Sequence, residues 1–373
     1  MSDKSAAPGE LAVDCVRTLA PYVPGKPIEE LQRELSLSDI IKLASNENPF
    51  GPRPRALAAM RTAVADAWLY PDGSGHDLKQ KLAAKLNVDT NQITLGNGSN
   101  DLLVLLAEAF LKPGLEAVYS QYAFAVYPIA VQATGATGVA VPANPPDSSM
   151  PLGHDLPAMA RAITPRTRIV FVANPNNPTG TWVPAGELKQ FVAAVPPHAL
   201  IALDEAYFEY SGGLDLQDGI DWLTEFPNLV VFRTFSKAYG LAGVRVGYAV
   251  SHPSVADMLN RVRQAFNVSV IGLAGASAAL DDPEHVAAAV KVAVTERVRV
   301  AAQLEKSGTH VLPSAGNFLL LHAGADARAR YEALLREGVI VRPLGSYQLP
   351  EYLRVTLGTV AQNDRFLAAW EAC

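Results

Sequence analysis

The chain has 373 residues, long enough to bury about three quarters of its unfolded surface and to form roughly two domains. With 49% hydrophobic and 18% charged residues and a formal net charge of −6, it carries no basic stripe for nucleic acid and fits neither a disordered nor a membrane protein. Its two cysteines, Cys15 and Cys373, give no disulfide framework and fit reduced thiols in a cytoplasmic protein; no run of about 18 apolar residues could span a bilayer, and Asp14 and Arg17 break the apolar stretch that a signal peptide would need.

In chain order, a polar tail, a short helix (Val13 to Leu19) and the turn APYVPGKP precede a helix over IEELQREL. ASNENPFGP reads as ordered loop because Asn, Pro and Gly are so dense there. A helix from Pro54 to Ala67 leads to the turn in WLYPDGSGHDL, and another helix starts at Leu78. Ile93 to Leu95 is strand-like, and Gly96, Gly98, Ser99 and Asn100 turn it into an apolar helix. Strand, glycine turn and helix is a layout for one phosphate, since free N–H groups and the helix dipole meet at the turn. A dinucleotide site is the weaker reading: Asp101 stands where a third glycine is needed, and Glu116 begins the next strand instead of ending it.

Strands and helices then alternate: EAVYS, a helix containing Tyr122 to Ala133, GVAVP, a helix near Ala158 to Ile163, RIVFVAN, a helix from Ala185 to Ala194, ALIALDEAY, a helix near Ile220 to Leu223, LVVFRTF and GYAV. Continuously apolar strands between helices predict a parallel sheet covered on both faces, with functional residues at strand C-termini. After Asn267 the pattern becomes a long helical region, Ile271 to Leu304. NFLLLHAG, a helix Asp326 to Arg336, GVIVRPL, YLRVTLG and a last helix predict a smaller α+β domain.

The chemistry centres on TFSKAYGLAGVRVGY, Thr234 to Tyr248. A lysine becomes a Schiff-base former once desolvation or a nearby cation lowers its pKa. Around Lys237, the hydroxyls of Thr234 and Ser236 and the guanidinium of Arg245 supply donors for a phosphate. Pyridoxal phosphate offers both the aldehyde and the phosphate. Asp204, ending a buried strand, is placed to hold a pyridine nitrogen protonated, and ANPNNPTGTW brings amides between prolines. His154 reads as a solvated loop histidine, and no grouping has metal-ligand spacing, so no metal is expected.

NPNNPTG, LDEAY and TFSKAYGLAGVRVGY, in that order, resemble the fold-type I pyridoxal-phosphate aminotransferases over nearly the whole chain. ASNENPFGP, YPDGSG, GNGSNDLL and SAGNF resemble their histidinol-phosphate aminotransferase branch. The resemblance implies an α/β large domain with a mostly parallel seven-stranded sheet between helices, and a smaller α+β domain. It divides the chain into an N-terminal arm with a small-domain segment (1–45), a cofactor-binding domain (46–270) and a C-terminal small domain (271–373). It implies Lys237 as the internal-aldimine lysine and proton carrier, Asp204 as pyridinium partner, Asn177 and Tyr207 at the ring 3-oxygen, and Tyr122 stacked on the ring. Ser99, Asn100, Ser236, Arg245 and Thr234 would hold the cofactor phosphate, with Tyr70 reaching it from the second subunit of a homodimer. Arg354, Arg342, Tyr22 and Asn46 would recognise L-histidinol phosphate and, in the second half-reaction, 2-oxoglutarate or glutamate. An aromatic amino-acid aminotransferase and a decarboxylase of phosphorylated amino acids share these motifs and stay open as alternatives. A cofactor-sensing regulator is disfavoured, because the short, non-basic N-terminal stretch leaves no room for a nucleic-acid-binding domain.

Overall fold

A seven-stranded sheet, buried except at its edge strand Thr137–Val141, forms the centre of the molecule, and the computed structural model describes residues 7–373; the polar tail expected at the N-terminus begins in residues 1–6, outside the described residues. In chain order the strands are Ile41–Lys42 (β1), Ile93–Gly96 (β2), Glu116–Ser120 (β3), Thr137–Val141 (β4), Thr167–Ala173 (β5), Leu200–Asp204 (β6), Leu229–Thr234 (β7) and Gly247–Ser251 (β8). His310–Val311 (β9), Phe318–His322 (β10), Val339–Ile340 (β11), Arg342–Leu344 (β12) and Leu349–Thr356 (β13) complete them.

The large sheet has the order β2-β8-β7-β6-β5-β3-β4. All neighbours run parallel except β8, which is antiparallel to both β2 and β7. Successive side chains leave a strand on opposite faces. Val170, Val172, Ile201, Leu203 and Val231 therefore pack into one apolar layer, and Ile169, Phe171, Ala202, Val230 and Phe232 into the other. Covering helices on the first face include His76–Leu86, Ala185–Ala194 and Val270–Leu280; on the second lie Ser99–Phe110, Val126–Ala133 and Pro253–Val262. Each such buried aliphatic or aromatic side chain stabilises the fold by about 1.5–3 kcal/mol, which is why these strands read as unbroken apolar runs.

A second, four-stranded antiparallel sheet, β12-β13-β10-β9, packs against Pro283–Lys306, Ala327–Arg336 and Val360–Ala372. β1 pairs with β11, Ile41 opposite Val339, and so ties the N-terminal arm to this smaller body. We propose the three-part division expected from the sequence with its second boundary moved later. The helix Val270–Leu280 packs on Pro54–Ala63 and His76–Leu86 of the large body, whereas Pro283–Lys306 packs on Val360–Ala372.

Several elements differ from the sequence reading. The first helix spans only Asp14–Arg17, and the long helical region is two helices broken at Asp281 and Asp282. The helix expected over Tyr122 to Ala133 begins at Val126, which leaves Tyr122 in a turn. Pro253–Val262 was not anticipated; its start is marked by Pro at the first helical position and by His252, whose ring nitrogen accepts from the Ser254 N–H at 3.2 Å.

Candidate active site

The C-terminal ends of β5, β6 and β7 lie side by side and open into one cavity. It is lined by Ala173, Asp204 and Thr234 from those ends, by the loops that follow them, and by residues of the N-terminal arm and of β12 and β13. Of the expected site residues, Tyr22, Asn46, Ser99, Asn100, Asn177, Asp204, Tyr207, Thr234, Ser236, Lys237, Arg245, Arg342 and Arg354 line it. Two others do not. Tyr122 packs instead with Leu152, Leu312 and Tyr347, and Phe124, two residues on, lines the cavity. Tyr70 is 81% exposed and stacks on Phe266, with ring centroids 4.7 Å apart.

One end of the cavity is built for an anion. Across the ladder Thr234 pairs with Gly247, which pairs with Gly96, so β7 and β2 deliver their C-termini to the same edge. The helix Ser99–Phe110 starts there with its N–H groups free to face the cavity. Two glycines make room: a Cβ on Gly247 would collide with the Ser99 amide nitrogen, and one on Gly98, at φ +83°, with the Arg245 guanidinium. Arg245 Nη1 donates to Ser236 Oγ at 3.2 Å, which places cation and hydroxyl together. The Thr234 hydroxyl accepts from the Ser236 N–H at 3.1 Å and so shapes the loop.

The middle holds Lys237 and Asp204. The Lys237 ammonium donates to the Ser45 carbonyl at 3.0 Å and lies 5.7 Å from the centre of the Tyr207 ring. Burial, and after it the Arg354 guanidinium, bring its pKa down to about 8, so a fraction of it is free amine near neutrality. Burial raises the pKa of the Asp204 carboxyl, and hydrogen bonds from Tyr127 and the Ala206 N–H and the charge of Lys237 offset only part of that rise.

The far end is cationic again. Arg342 and Arg354 sit opposite each other on β12 and β13, both buried. Arg354 Nη1 donates to Asn177 Oδ1, Nη2 donates to the Ala44 carbonyl at 2.7 Å, and Nε is buried with no partner. Arg342 donates to the Val23 carbonyl at 2.6 Å and lies 5.7 Å from the Tyr22 ring. Among the described residues no ion pair includes either arginine. A buried guanidinium without a carboxylate is costly, and an anion entering the cavity relieves that cost.

The asparagines of NPNNPTG divide the work. Asn174 holds Val183 through both its amide groups, at 3.1 and 2.9 Å, and Asn176 donates to the Tyr122 carbonyl and the Thr179 hydroxyl. That fixes the loop and leaves Asn177 facing the cavity. Asn46, at φ +56°, donates to the Tyr207 hydroxyl at 2.9 Å and accepts from Thr356 at 3.0 Å. His154, expected in solvent, is buried and its Nε2 lies 2.9 Å from the Ala173 carbonyl.

A depressed lysine between a helix N-terminus with an arginine and a buried carboxylate fits the donor set of pyridoxal phosphate: amine for the aldehyde, N–H groups and cation for the phosphate, anion for the ring nitrogen. The comparisons with known proteins agree. Residues 38–369 match the family "Aminotransferase class I and II", and the chain belongs to it. It is 55% identical over 359 residues to a protein of Methylococcus capsulatus named histidinol-phosphate aminotransferase 2, covering 96% of this chain and 97% of that one. A Pseudomonas aeruginosa protein of the same name is 54% identical, covering 96% of each chain. The crystal structure of histidinol-phosphate aminotransferase from Sinorhizobium meliloti, in complex with pyridoxal-5'-phosphate, superposes with a TM-score of 0.89 at 33% identity, over 99% of this chain and 98% of that one.

Proposed function

We propose that this chain is a pyridoxal-phosphate-dependent histidinol-phosphate aminotransferase of histidine biosynthesis. It moves the amino group of L-histidinol phosphate to 2-oxoglutarate and releases imidazole acetol phosphate and L-glutamate. The observation that carries the substrate is the pair Arg342 and Arg354, buried side by side, with no carboxylate partner among the described residues, at the end of the cavity away from the cofactor-phosphate cradle.

When bound, pyridoxal phosphate supplies an aldehyde that takes up amino groups and a ring that spreads the charge left when the donor carbon loses its proton. The chain supplies the rest. Lys237 holds the cofactor and moves the proton at the donor carbon. Asp204 holds a proton on the ring nitrogen, and Asn177 and Tyr207 serve the ring oxygen. Phe124 takes the stacking place first assigned to Tyr122. The N–H groups of Ser99 and Asn100, with Ser236, Arg245 and Thr234, hold the cofactor phosphate. Arg354, helped by Arg342, Tyr22 and Asn46, grips the substrate phosphate in one half-reaction and a carboxylate of the 2-oxo acid in the other. The same donors serve both anions, so one site runs both halves.

We place the enzyme in the cytoplasm as a homodimer with shared sites. What supports the dimer is the exposed run Trp68, Leu69 and Tyr70, with Tyr70 stacked on the exposed Phe266. If Tyr70 serves the other subunit, mixing Lys237→Ala and Tyr70→Phe chains generates hybrid dimers with one intact site, and turnover per intact lysine rises above that of the Tyr70→Phe dimer. Strictly additive activity contradicts the exchange. The substrate is tested by kcat/KM for L-histidinol phosphate against L-phenylalanine and L-tyrosine, with 2-oxoglutarate as acceptor. A large preference for the phosphate ester is expected; equal or better rates with the aromatic amino acids would replace it as the substrate.

A further inference from the structure

Asp204 is held from behind. Its Oδ2 accepts from the Tyr127 hydroxyl at 2.8 Å and its Oδ1 from the Ala206 N–H at 3.1 Å. Tyr127 has no exposed surface and does not line the cavity, yet Asp204 does. The phenol is itself fixed: its ring stacks on Phe171 with centroids 4.6 Å apart and an interplanar angle of 12°, and meets the edge of Phe124 at 5.9 Å. One short stretch thus presents Phe124 to the cavity and Tyr127 to the concealed side of the carboxylate.

We propose that Tyr127 is a positioning residue that orients Asp204 and keeps it ionised, and that through Asp204 it sets how tightly the ring nitrogen of the cofactor is held. The proposal rests on the reading of Asp204 as the ring-nitrogen partner. A carboxylate offers about four lone-pair sites; Tyr127 and Ala206 occupy one on each oxygen, which prevents rotation and leaves the remaining ones for the cavity. Burial favours the neutral acid, and a neutral acid is a poor partner for a pyridinium. A hydrogen bond donated to the charged form opposes this. Burial and the Asp204 charge keep the Tyr127 phenol protonated far above its ordinary range, so it stays a donor. The other charged or titratable groups acting on this pair are Lys237, which favours the Asp204 anion, and Tyr207 and Tyr347, which act on the phenol.

The test is Tyr127→Phe, which removes one oxygen and keeps the ring stack, compared in a cycle with Asp204→Asn and the double variant. Hydrogen bonds to charged groups set the scale: the dissociation constant of pyridoxal phosphate, titrated into apoprotein, weakens roughly tenfold or more in Tyr127→Phe. The pH at which the bound cofactor's visible absorbance titrates moves upward, because a ring nitrogen that has lost its proton withdraws fewer electrons from the imine. The double variant is no worse than Asp204→Asn, since Tyr127 acts through that carboxylate. Replacing Tyr127 with difluorotyrosine, a stronger donor, moves both readouts the opposite way and serves if the phenylalanine variant folds poorly. A packing role alone predicts additive losses, lowered melting temperature and an unmoved absorbance titration, and that outcome overturns the proposal. None of these readouts uses the amine substrate, so they stand or fall apart from the substrate assignment.

Discussion

The middle and the far end of the cavity satisfy their charges differently. At the large sheet, Asp204 has Tyr127 and the Ala206 N–H as partners within its own chain. At β12 and β13, Arg342 and Arg354 have backbone carbonyls and one asparagine, and no carboxylate among the described residues. The carboxylate is held within its own chain before any ligand arrives, which suits a cofactor retained through every turnover. The far end is left electrostatically open, which suits anions that must enter and leave.

Removing Lys237 breaks the comparison at its centre, because nothing else in either region can replace it. Lys237→Ala is expected to lower turnover by at least about 10⁴-fold, the upper range for loss of a positioned acid–base group; retained turnover in a standard assay would remove it from the mechanism. Asp204→Asn tests the self-satisfied middle. It is expected to bind cofactor but slow the proton step about 10²–10³-fold, read as a lowered single-turnover rate, and an unchanged rate would deny Asp204 its role. Arg354→Lys tests the open end. Its kcat/KM for the phosphate donor is expected to fall about 10–100-fold, more than any loss of cofactor affinity passed on through Asn177; equal loss of cofactor affinity would mean that the two regions are not independent.

Smaller effects sharpen the contrast. Lys237 has a folded pKa of about 8 against 10.5 in an ordinary setting. Below pH 8 both folded and unfolded apoprotein carry the cation, and the folded chain bears the cost of burying it. Between pH 8 and 10.5 the folded chain has lost a proton that the unfolded chain keeps, so stability rises with pH there. Denaturant midpoints of wild-type apoprotein relative to Lys237→Met should show this rise, and a flat difference contradicts it. Tyr22→Leu, which removes a cation–π partner of Arg342, is expected to raise KM about two- to fivefold; no change would leave Tyr22 outside substrate recognition.

Much of this was legible in the sequence because buried parallel strands announce themselves as apolar runs. EAVYS coincides with Glu116–Ser120, and Ala185–Ala194 has its expected limits. Asp204 ends one such strand and Asn177 and Lys237 follow others, so their convergence could be anticipated. What could not be read depended on where turns place side chains. Tyr122, Phe124 and Tyr127 stand within six positions, and only a helix that starts at Val126 turns Phe124 into the cavity and Tyr127 behind it. The Tyr127–Asp204 hydrogen bond links residues 77 apart, and no local pattern marks it. The pairing of Arg342 with Arg354 is likewise a matter of strand register.

The measurement that bears most directly on the open end is kcat/KM for L-histidinol phosphate against L-histidinol, which lacks only the phosphate, in wild type and in Arg354→Lys. A phosphate gripped by buried arginines predicts a preference of at least about 10²-fold in wild type that shrinks in the variant. Equal rates with and without the phosphate would contradict the account.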